Sequence, residues 1–140
     1  MARLASLLDR QLPDDLTALV NVEVIIDARY PPTVRAPDVV ITHEQVVRLN
    51  QARLEPVDVL LAVEIISPGT ARTDRVTKMS EYAEAGIAHY WLIDLANPPS
   101  LTVHELVAGR YKAVAKSTGP IDLAEPVPLT IDPAELMRRR

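Results

Sequence analysis

Glu64 is the residue most at odds with its surroundings. It stands inside Val59–Ile66, where every other position is apolar. An unbroken apolar run of that length marks a strand buried on both faces. A carboxylate there is costly unless it is paired or binds a metal. The bland alternative puts Glu64 near the strand end, bonded to a loop or an arginine. Asp38 is the second candidate, in Pro37-Asp38-Val39-Val40-Ile41 at the head of another apolar segment; a Pro-Asp pair also simply opens strands and turns. Side-chain alternation puts Asp38, Val40 and Thr42 on one face of their strand, and Leu60, Ala62, Glu64 and Ile66 on one face of theirs. If the strands are neighbours, the two carboxylates converge. Such oxygen ligands suit Mg²⁺ or Mn²⁺, which take one or two carboxylates and keep several waters. Lys78 is the third candidate. Asp74, Lys78 and Glu81 share a helix face at spacings of four and three, and spacing alone favours an ordinary Asp74–Lys78 ion pair. At the border of the buried face, a long lysine could still reach the sheet.

These side chains need elements to hold them. Ala2–Leu12 reads as an amphipathic helix, with Leu4, Leu7, Leu8 and Leu12 near helical spacing and Pro13 ending it. Leu19–Ala28 alternates like a strand with one polar face. Ala36–Thr42 and Asp58–Ile66 are the next two strands. Ser67-Pro68-Gly69 turns the chain into a helix over Thr70–Ala85, with Gly86 at the capping position. Ile87–Leu95 is a fourth strand. Leu101–Val107 and Arg110–Ala115 form a hairpin across Ala108–Gly109, and Leu129–Ile131 is a short strand before a turn of helix from Asp132. The expected class is α/β (α+β), a mixed sheet flanked by two helices in the order αβββαβ plus a C-terminal hairpin.

Composition narrows the chemistry. The 140 residues suit one domain spanning 1–140. Cysteine is absent, which excludes disulfides, thiolate zinc sites and a cysteine nucleophile. No apolar stretch approaches a membrane span. Met1–Gln11 carries Arg3, Asp9 and Arg10 and does not read as a signal peptide, so a cytoplasmic protein is expected. The net charge of −4 matches nucleic acid poorly overall, so DNA contact must come from local basic residues. Arg72 and Arg75 beside Lys78 could touch phosphate or simply solvate the helix. Arg138–Arg140 reads as a solvated basic end, and His89 and Trp91 as sheet packing.

The motifs Pro37-Asp38, Val63-Glu64-Ile65-Ile66-Ser67-Pro68-Gly69-Thr70, Asp74, Lys78, Tyr82, Gly86 and Tyr90-Trp91-Leu92-Ile93-Asp94 resemble the Uma-type restriction endonuclease family of the PD-(D/E)XK nuclease superfamily. The resemblance runs from Pro37 to Tyr111. It implies a restriction-endonuclease-like fold, with Asp38 and Glu64 as Mg²⁺ (or Mn²⁺) ligands and the Ile66 backbone or neighbouring carbonyls completing the shell. The superfamily's lysine stands two residues after the Glu, where this chain has Ile66, and the family moves it to the following helix, to Lys78. Asp9 would match an acidic residue that some members carry in the first helix. The chain departs from the family in Gly69, where a serine is usual, and in lacking most of an N-terminal hairpin and a longer first helix.

The expected function is a Mg²⁺-dependent endonuclease hydrolysing DNA phosphodiesters, with Asp38, Glu64 and Lys78 catalytic. The alternative is a non-catalytic interaction module on the same fold, favoured by the acidic balance and the short N-terminal region. Leu4, Leu7 and Leu8 suggest an apolar helix face seeking a partner, hence a homodimer. The competing expectation is that the Pro-rich segment Pro120–Pro133 covers that face.

Overall fold

The computed structural model describes residues 1–67 and 72–137, with only the backbone for 72–74. The helices are α1 (Ala2–Asp9), α2 (Glu44–Arg48) and α3 (Arg72–Glu84). The strands are β1 (Leu16–Val20), β2 (Val24–Asp27), β3 (Thr33–Arg35), β4 (Val39–His43), β5 (Val59–Ile66), β6 (His89–Asp94), β7 (Ser100–Val107), β8 (Arg110–Ser117), β9 (Ile121–Leu123) and β10 (Leu129–Ile131). Six of them build one mixed sheet in the order β1-β4-β5-β6-β7-β8, and β2–β3 and β9–β10 are separate two-stranded ribbons. β5 runs antiparallel to β4 and parallel to β6. A parallel pair needs a long crossover, and α3 lies in it. Within the main sheet the order is the expected αβββαβ with the β7–β8 hairpin after it, and this is a mixed α+β fold.

Alternation along the strands divides the core by sheet face. One face carries Val39, Ile41, Leu61, Val63, Trp91 and Ile93, which pack with Leu4 and Leu8 of α1 and with Leu129 and Ile131 of β10. The other carries Val40, Ala62 and Tyr90, which pack with Tyr82 of α3, Ile87 and Val24. The strands between are therefore apolar on both sides, which is why β5 reads as a continuous run. Gly86 has φ +86°, the left-handed conformation that glycine adopts without penalty. There Ile87 N–H donates to Tyr82 C=O and Gly86 N–H to Ala83 C=O, the Schellman arrangement. It ends α3 and turns the chain into β6.

Three expectations need correction. The strand expected over Leu19–Ala28 is two strands in different sheets, because Asn21 takes φ +54° and breaks the extended run; asparagine tolerates that region better than most residues. The first helix stops at Asp9, and Gln11 and Leu12 continue only as turns on Leu8 and Asp9 carbonyls. The apolar face of α1 is not free to recruit a second copy. Leu4 and Leu8 are fully buried, and the C-terminal segment closes over the helix. Gln11 bonds both the N–H and the C=O of Thr130, and Arg3 donates to the Glu135 carbonyl. α2, β3 and β9 were not foreseen. Residues 68–71, which include Pro68 and Gly69 of the expected turn, the side chains of residues 72–74, and Arg138–Arg140 lie outside the described residues.

Candidate active site

The pairing of β4 with β5 sets the distance between the two carboxylates. Val39 faces Val63 and Val40 faces Ala62, so the residue before β4, Asp38, falls opposite Glu64. Beyond that rung no strand pairs with β5 on this side among the described residues, and the Asp38 carboxylate takes the place of one. Its Oδ2 accepts the Ile65 N–H at 2.6 Å. The other oxygen takes no hydrogen bond among the described residues.

Glu64 is 7% exposed, in the position expected of a central strand. Its Oε1 accepts the Tyr82 hydroxyl at 2.7 Å, and its Oε2 lies 3.8 Å from the Lys78 ammonium. α3 delivers both partners from one face, four residues apart. Burial, with the Glu64 charge behind it, pushes the Tyr82 phenol far above the usual tyrosine range, so it stays a donor at any working pH. Lys78 therefore reaches the sheet; the Asp74 side chain, with which spacing suggests an ion pair, lies outside the described residues.

Asp38, Glu64, Ile65, Ile66, Arg75, Lys78 and Tyr90 line one cavity of about 140 Å³. That is room for a few waters at about 30 Å³ each. Two carboxylates, a small wet space and adjacent cations match a divalent ion that keeps most of its water shell. Among the described residues no three His, Asp or Glu that could hold a metal ion gather at one point, so an ion held by Asp38 and Glu64 would take its remaining ligands from water or carbonyls. The Ile66 carbonyl accepts the Leu95 N–H at 2.8 Å, which leaves one lone pair for any other partner. Asp9 is used elsewhere, accepting the Ala18 N–H and the Thr17 hydroxyl and so pinning α1 to β1.

Two further lining residues carry chemistry: Arg75, which the sequence offers as a phosphate contact or a solvated side chain, and Tyr90, which sequence reasoning did not assign to the site. Arg75 precedes Lys78 by one helical turn, a signal readable from spacing. Tyr90 stands on β6 opposite Ala62, two residues before Glu64 on the same face, and that register was not readable from sequence.

Comparisons with known proteins bear on the family and the fold. The family model Uma2, described as "Putative restriction endonuclease", matches residues 1–132. A crystal structure described as a putative nuclease belonging to DUF820 from Anabaena variabilis ATCC 29413 is similar with a TM-score of 0.69 and 16% identity, over 96% of this chain and 76% of that one. At that identity the likeness speaks for the fold. No curated protein matches the chain. Among the described residues no helix is long and apolar enough to cross a membrane.

Proposed function

The chain belongs to the Uma2 family of putative restriction endonucleases, and from that premise we propose that it hydrolyses DNA phosphodiester bonds with Mg²⁺ or Mn²⁺. The observation that supports this most is the convergence of Asp38 and Glu64 on one small cavity, with Lys78 and Arg75 on its wall.

Asp38 and Glu64 would hold the ion, which supplies a Lewis acid for a phosphoryl oxygen and a means of activating water. Tyr82 fixes the orientation of Glu64, and the Ile65 amide that of Asp38. Lys78 orients the attacking water or offsets the negative charge that builds on the phosphate. Arg75 would bind a phosphate oxygen, a charge-assisted contact for a guanidinium. These cations answer the objection raised by the net charge of −4, because the positive groups stand where the phosphate would lie.

Purified protein with Mg²⁺ or Mn²⁺ should nick or cut plasmid DNA. Glu64→Gln should reduce this by at least about a hundredfold while the circular dichroism spectrum stays native. Equal cutting by both proteins would expose a contaminant. A folded wild type that neither cuts DNA nor binds the metal ions would favour the interaction module.

A further inference from the structure

Three tyrosines pack together beside the candidate site, and two of them have their hydroxyls bonded inside the fold. Tyr82 donates to Glu64 at 2.7 Å, and Tyr111 donates to the Ile87 carbonyl at 2.7 Å. Tyr90 is different. Its side chain is fully buried, yet its hydroxyl has no hydrogen-bond partner among the described residues. Leaving a buried donor unmade is costly, and few native groups are left so. A tyrosine kept only for packing would be served as well by phenylalanine.

The position of Tyr90 points to what the hydroxyl is for. It lines the same cavity as Asp38, Glu64, Arg75 and Lys78. The ring is held on three sides: edge-on by Tyr82 at 5.8 Å, stacked by Tyr111 at 5.3 Å, and by His104 at 5.5 Å. A donor so fixed needs little reorganisation to meet a ligand. The phenolic hydrogen calls for an acceptor, and neither Glu64 oxygen lacks a neighbour: Oε1 has Tyr82 and Oε2 faces Lys78. A phosphodiester bound there brings additional acceptor oxygens.

We propose that the Tyr90 hydroxyl donates a hydrogen bond to a non-bridging oxygen of the phosphodiester bound at Asp38 and Glu64, as a third, uncharged contact beside Lys78 and Arg75. This rests on the nuclease reading of the same cavity.

Tyr90→Phe tests it, since only the hydroxyl is removed. Among the described residues that hydroxyl has no bond to lose, so the melting temperature should hold or rise. Cleavage with Mg²⁺ should fall roughly a hundredfold in kcat, with KM moving less. A short DNA duplex in Ca²⁺ should raise the melting temperature of the variant less than that of the wild type. Wild-type cutting and wild-type stabilisation by the duplex would overturn the inference alone, provided Glu64→Gln still fails to cut. A variant that melts several degrees lower would show that the hydroxyl has a partner inside the fold, and would also overturn it. A wild type that neither cuts nor binds the duplex overturns the nuclease reading, and this inference with it.

Discussion

Tyr82 and Tyr90 pack against each other with opposite accounts of their hydroxyls. Removing the Tyr82 hydroxyl takes a 2.7 Å hydrogen bond from the buried Glu64 carboxylate, and a hydrogen bond to a charged group is worth about 1.5–3 kcal/mol. Tyr82→Phe should therefore lose stability of that order in urea unfolding and also cut more slowly, because Glu64 is no longer oriented. Tyr90→Phe should do only the second. Unchanged stability in Tyr82→Phe would mean that Glu64 finds a replacement donor. At this scale the sequence was legible where a residue type contradicted its surroundings. Glu64 in an apolar run and Asp38 in matching parity stood out, and the structure brings them to one cavity. That Lys78 reaches Glu64 was not decidable from spacing, since it depends on how α3 is rotated against β5. The hydroxyl of Tyr90 was invisible, because alternation shows that a side chain is buried but not whether its polar atom finds a partner.

Among the elements, β5, α3 and β6 form the unit that carries the site, and their order and ends were largely readable. Apolar runs marked the two parallel strands, and Gly86 marked the end of α3. What could not be read was conformation without a side-chain signature. The φ of +54° at Asn21 divides an apparently continuous alternation, and α2 is too short to show a helical period. β7 adds a pH dependence. His104 is 6% exposed, and its Nδ1 faces the Tyr90 carbonyl at 3.2 Å. Burial lowers its pKa below the ordinary 6.5, against the weaker pull of that carbonyl. With the folded value below the unfolded one, the unfolded chain takes up the proton first. The stabilising effect of a neutral His104 is thus complete above about pH 6.5 and is lost as the pH falls toward the lower folded value. Urea midpoints measured from pH 7.5 to 5 should show this decline, by at most about 1.4 kcal/mol per pH unit from one group, and His104→Gln should lack that part of the slope.

For the whole molecule, the strongest ground for a homodimer has gone, since α1 is covered by the C-terminal β9–β10 ribbon. The free sheet edges offer little instead. β8 carries Lys112 and Lys116, and β1 is only five residues long; charge and shortness both discourage edge pairing. Light scattering at micromolar concentration should give a monomer of 15.4 kDa, and a value near twice that would require an interface elsewhere. The two-sided sheet has a further consequence, for how the protein can change. Its backbone is a partition between two separately packed layers, one holding α1 and the C-terminal ribbon, the other holding the carboxylates under α3. Substitutions in layers that share no side-chain contacts tend to act additively. The layer remote from the cavity can therefore drift, or be redesigned for heat resistance, without retuning the chemistry. The layer that holds the candidate site can in turn accept a destabilising but useful change while the remote layer supplies a margin of stability against it.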